Sequence, residues 1–155
     1  LGKVMFFHLT HSTAAETLAV NLARALQQGW RVMVRGTDPQ VLDQLDAALW
    51  TGGGDEAFLP HGQAGGPHDA DQPVLLGRGD PVNGAAVLAL IDGAATTDAE
   101  IRALERVWVL FDGNDPGRLQ AARVQWKAVT DAGHVAQYWA EDGGRWTMKA
   151  ESPKA

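Results

Sequence analysis

"KVMFFHLTHSTAAE", Lys3 to Glu16, is the stretch on which the fold turns. Its first half, Lys3 to Leu9, is a continuous apolar run without clean alternation, the pattern of a strand covered on both faces. Its second half holds Thr13 and Glu16 in the T-x-x-E form of a capping box, in which two side chains satisfy backbone donors left open at a helix start. The predicted helix runs through Leu18, Leu22, Ala25 and Leu26 to Gly29, which can take the left-handed conformation that closes it.

The pattern repeats outward. "WRVMVRG" (Trp30 to Gly36) reads as a second strand, and Asp38 followed by Pro39 offers an N-cap acceptor and a proline at the first helical position. The helix behind it turns Val41, Leu45, Ala48 and Leu49 inward. Strand, helix, strand, helix predicts an α/β fold: a mostly parallel central sheet with helices packed on it. Between Thr51 and Pro73 the pattern dissolves into a glycine-rich connection in which only Ala57 to His61 looks packed. Strands resume at Pro73 to Gly77, Ala86 to Asp92 and Arg106 to Asp112, with a short helix at Asp98 to Leu104. Asp115, Pro116 and Gly133 bracket a last helix, and a hairpin turning at Gly143 and Gly144 ends the fold. These readings place one domain over residues 1–150 and a disordered tail over 151–155.

Composition narrows the function. The 155 residues include no cysteine, which excludes disulfides, thiolate nucleophiles and cysteine-held zinc. No run approaches a membrane span and no leader pattern opens the chain, so a soluble cytoplasmic protein is the expectation. A net charge of −6 opposes general binding to nucleic acid, which needs clustered Lys and Arg. The charge is uneven. Residues 1–100 carry five Lys/Arg against twelve Asp/Glu, whereas residues 101–155 carry eight against seven.

Catalytic and cofactor motifs fail on spacing. After the first strand stands "THSTAAE", with no glycine where a phosphate-binding loop or dinucleotide fingerprint requires several. The run Gly52, Gly53, Gly54 follows a helix rather than a strand, so no nucleotide cofactor is expected. His8 and His11, or His61 and His68, form no metal signature, and the bland reading is a hydrogen-bonded His8 with a surface His11. Neither Ser12 nor Ser152 sits in a nucleophile elbow. The competing enzyme reading is a nucleotide- or metal-dependent hydrolase at the carboxyl edge of the sheet, using His8, His11, Asp112 and Asp115. N-capping and turn chemistry account for those two aspartates as readily.

The remaining feature is "RVQWKAVTDAGH", Arg123 to His134. Arg123, Trp126 and Lys127 share one side of a helix, and from Pro116 onward the cations Arg118, Arg123 and Lys127 face only Asp131. A small cationic spot on an anionic body selects a short acidic ligand over a long polyanion. Two apolar stripes compete for the inward side. Leu119, Ala122, Trp126 and Val129 would bury the indole, whereas Gly117, Ala121, Val124, Ala128 and Ala132 would leave it at the edge between its cations.

Taken in order, "LDQLDAALW" (Leu42 to Trp50), "FLPHG" (Phe58 to Gly62), "QPVLL", "VLFDG" and "RVQWKAVTDAGH" resemble the chi subunit of bacterial DNA polymerase III, over most of residues 1–150. The resemblance implies a Rossmann-like fold without a phosphate-binding loop, no cofactor and no catalysis. It also implies an accessory role in the clamp-loader complex, linking it to the acidic C-terminal tail of single-stranded DNA-binding protein. Arg123 and Lys127 match the cations that receive that tail, and Trp126 an aromatic position where a tyrosine can occur. Leu119 stands where a further basic residue occurs, which Arg118 would have to replace. The psi subunit is a second partner that the resemblance brings with it.

Overall fold

The computed structural model describes residues 2–51 and 60–153. Along the chain run β1 (Lys3–Leu9), α1 (Ala14–Gln27), β2 (Val32–Arg35), α2 (Pro39–Thr51), β3 (Gly62–Gln63) and β4 (Val74–Gly77). Then come β5 (Val87–Leu90), α3 (Asp98–Ala103), β6 (Arg106–Asp112), α4 (Pro116–Asp131), β7 (Ala136–Asp142) and β8 (Arg145–Ser152). They build one eight-stranded sheet in the order β3-β4-β2-β5-β6-β1-β7-β8, parallel throughout except for the β7–β8 hairpin. This is the α/β architecture that the opening stretch predicts.

Helices cover both faces because the strands are apolar on both. Phe7, Leu9, Val34, Leu76 and Leu110 meet Leu18 and Leu22 of α1 and Leu42, Leu45 and Leu49 of α2. On the opposite face Val4, Phe6, Leu88, Leu90, Val109 and Phe111 meet Ile101 of α3 and Ala122 and Val129 of α4. The helix starts follow the sequence. Thr13 and Glu16 form the complete capping box, Thr97 and Glu100 form a second, and Asp115 accepts from the backbone of Gly117 and Arg118 behind Pro116.

Two expectations change. The connection from Thr51 to Pro73 contains β3, two residues paired in parallel with β4, and a 3-10 turn at Asp69–Asp71. Both are too short to leave a periodic signal. Within the same connection, the glycine run at 52–54 and the expected packing of 57–59 lie outside the described residues, while His61 is buried. Finally, β8 continues to Ser152, so Glu151 and Ser152 do not belong to a disordered tail: they pair with Gln137 and Ala136, and Gln137 Nε2 donates to Glu151 at 2.8 Å. Residues 154–155 lie outside the described residues.

Candidate functional site

The two apolar stripes of α4 are now distinguishable. Ala122 and Val129 are buried and Leu119 and Trp126 half-buried, whereas Gly117, Ala121, Val124, Ala128 and Ala132 all face solvent. The stripe of small residues is the outer side, and Val124 is 61% exposed there. Trp126 is therefore turned toward the sheet yet stops at its margin. Its ring meets Phe6 edge-on at 5.4 Å and Tyr138 edge-on at 5.8 Å, the arrangement favoured by the ring quadrupoles. Since Phe6 is fully buried while Trp126 and Tyr138 keep exposed surface, the two outer rings form an aromatic floor anchored in the core.

The floor continues onto His8. Its Nδ1 lies 2.9 Å from the Tyr138 hydroxyl, and its ring is 5.2 Å from that of Phe111. Gly113 makes this possible, because a Cβ there would fall 1.9 Å from the His8 ring. Burial, and then the positive charge of Arg123, pushes the His8 pKa down, against the opposing pull of Asp112. Burial raises the Tyr138 pKa while Arg123 works to lower it. Arg123 is thus close enough for its field to be felt by both rings. It is exposed, and among the described residues it makes no ion pair.

Lys127, one turn further, meets Asp131 at 2.9 Å, with both side chains largely in water. Such an exposed i,i+4 pair contributes about 0.3–0.5 kcal/mol and is readily exchanged for a better acceptor. Arg123, Trp126 and Lys127 accordingly share one surface. Arg118 does not join them, since its Nη2 donates to Asp92 Oδ1 at 3.0 Å and its guanidinium lies against Gly93. It stands five residues before Arg123, well round the helix, so it serves the loop after β5 instead. The residues that sequence reading missed here are Tyr138 and Phe6. Strand periodicity places Tyr138 on the face of buried Ala136, but nothing in the sequence says that α4 lies over it.

The carboxyl edge of the sheet has a cavity of about 750 Å³ between α1, α2 and the start of α4, lined by His11, Asp92, Asp112 and Asp115 among others. Its two candidate carboxylates are committed. Asp115 caps α4, and Asp112 accepts from the backbone of Asn114 at 2.9 Å. His8 turns to Tyr138 on the other face, so the four hydrolase candidates do not converge. Among the described residues no three His, Asp or Glu side chains are placed to hold a metal ion.

The loop after β1 is the more telling part. The backbone N–H groups of Thr10, His11 and Ser12 all donate to Oε1 of Glu141, at 3.0, 3.1 and 3.0 Å, and Ser12 Oγ donates to Oε2 at 2.8 Å. Consecutive amides converging on one anion make the kind of nest that elsewhere binds phosphate. Here the anion is part of the chain. Burial pushes the Glu141 pKa up, but these donors outweigh it and hold the carboxyl at about 2.

The described residues thus hold an aromatic floor beside an exposed arginine on α4, and a loop after β1 whose amides are answered by Glu141. No curated protein sequence matches the chain. The family model for the DNA polymerase III chi subunit, HolC, matches residues 1–137, and the chain belongs to that family of polymerase III accessory subunits.

Proposed function

We propose that this replication subunit is a non-catalytic adaptor that binds the acidic C-terminal tail of single-stranded DNA-binding protein on α4 and so links it to the clamp-loader complex. The observation that carries the reading is the unpaired Arg123 guanidinium beside the floor of Trp126 and Tyr138, with Lys127 one turn away. A terminal carboxylate and neighbouring aspartates supply charge-assisted acceptors for Arg123 and Lys127. The final aromatic ring of the tail lies on the indole, where an apolar contact beside a cation is most effective. Binding of this kind is salt-sensitive and of weak to moderate affinity, because a disordered tail must be ordered. The psi subunit would occupy a separate surface, no direct contact with nucleic acid is required, and the complex would act in the cytoplasm.

The test is titration of a tail peptide ending in acidic residues and phenylalanine against wild type and Arg123→Ala. The mutant should bind about tenfold more weakly, the loss expected for one charge-assisted hydrogen-bonded contact. Wild-type binding no stronger than that of the mutant would remove this surface from consideration.

A further inference from the structure

On the opposite face of the sheet from Trp126 lies a second gathering of cations and indoles. At the amino-terminal ends of β1 and β6, beneath the last turns of α1, a cavity of about 210 Å³ is lined by Asn21, Arg24, Trp30, Arg106 and Trp108 among others. Lys3 is the register partner of Arg106 on the adjacent parallel strand, so a third cation stands on the same face. Among the described residues none of Lys3, Arg24 and Arg106 makes an ion pair, in a chain whose net charge is −6. The Arg106 guanidinium lies 5.5 Å from the centroid of Trp30, a cation-π contact that fixes its position before any ligand arrives. Its only recorded hydrogen bond runs to the Glu105 carbonyl.

The cavity is rich in donors. Arg24 and Arg106 present guanidinium donors at its wall, and Asn21 lies beside them. Two guanidiniums without an ion pair among the described residues call for an anion with several acceptor oxygens, and Arg recognises carboxylates in this way. The two indoles call for an apolar body attached to it. At about 210 Å³ the space is smaller than the roughly 300–1,000 Å³ of drug-sized sites, and suits one apolar side chain with a carboxylate beside it rather than a larger ligand. A long polyanion would meet repulsion from the rest of the surface. We infer that this cavity is a second peptide-binding site, which takes an internal acidic segment of a partner protein: a carboxylate between Arg24 and Arg106, and a neighbouring apolar side chain against Trp30 and Trp108. It uses none of the α4 residues and stands independently of the reading given to them.

The experiment is a titration of the intact, 15N-labelled protein with acetyl-Asp-Leu-Asp-Leu-amide and acetyl-Asn-Leu-Asn-Leu-amide, following the indole N–H signals of Trp30 and Trp108. Amidation removes the terminal carboxylate and so separates this site from a tail-binding one. The acidic peptide should shift both signals saturably and the neutral one should not. Arg24→Gln and Arg106→Gln should each weaken binding about fivefold, while Arg123→Ala leaves it unchanged. Arg24 is exposed, so its variant tests the site even if the Arg106 variant does not fold. Equal response to both peptides, no saturable shift, or unchanged affinity in Arg24→Gln overturns the proposal. Tighter binding of a six-nucleotide thymidine strand at the same indoles overturns it in favour of nucleic acid.

Discussion

The loop after β1 and the outer flank of α4 lie on neighbouring elements, yet they treat charge in opposite ways. In the loop, three amides and a hydroxyl are all answered by the Glu141 carboxylate, and the loop after β2 repeats the device. There Asp92 accepts from Thr37 and Asp38 N–H, from Thr37 Oγ1 and from Arg118. On α4, Arg123 has no acid to meet and Trp126 keeps part of its ring in water. A donor already answered inside the chain contributes to stability and is closed to ligands. A donor left unanswered costs little at the surface and can supply binding energy to a partner. At the sheet mouth, where this architecture usually binds small molecules, Glu141 and Asp92 answer loop donors from within the chain, and the proposed binding surface lies instead on a helix flank.

The most severe way to test this division is Glu141→Ala. Three amides lose their acceptor, and unfolding by urea should show a loss of about 3 kcal/mol, near 1 kcal/mol for each bond. Sulfate at tens of millimolar should recover part of that loss by occupying the nest, and no recovery would show that the loop collapses once emptied. Acid makes the same point. The Glu141 pKa is about 2 folded and near the ordinary carboxylate value of roughly 4.3 unfolded. Its contribution is therefore complete above about pH 5 and is lost as the pH falls toward 2, so wild type and Glu141→Gln should converge in stability across that range.

Trp126→Ala lies between the two regions. It should cost about 2 kcal/mol, below the 3–5 kcal/mol of a fully buried aromatic, and Trp126→Phe should restore most of it. A loss as large as a core value would mean the ring is structural and its open edge incidental. Asp92→Asn should cost about 1.5 kcal/mol in the same urea assay by weakening its bonds to Thr37, Asp38 and Arg118. The smallest effect is the sharpest test. Arg123→Ala should leave stability within about 0.5 kcal/mol of wild type while binding the tail peptide about tenfold more weakly, since among the described residues it makes no ion pair to abandon. A destabilisation above 1 kcal/mol would place Arg123 among the committed charges and blur the distinction.

What the sequence disclosed was whatever is settled within a few residues. The capping box at Thr13, the Asp115 cap and the two-sided apolar strands each satisfy local donors or bury local surface. The hidden parts are answered from far away. Glu141 lies 130 residues from His11, and the Asp92 that holds Arg118 is 26 residues from it, so no window of sequence joins them. The position of Trp126 falls between these cases. Both candidate stripes were readable, but the choice between them and the edge-on seat of Trp126 against Phe6 and Tyr138 depend on β1 and β7 being neighbours beneath α4. The end of β8 was misread because a polar edge strand has no buried face to set a period.

The strand order also sets a timetable for synthesis. β1 is synthesised well before its partners β6 and β7, so its backbone stays unpaired until residues 106–112 and 136–142 have followed. At about 5–20 residues per second, the roughly hundred residues between β1 and β6 take about 5–20 s. Throughout that interval "KVMFFHL", among the most apolar and aggregation-prone stretches of the chain, must stay clear of other nascent copies.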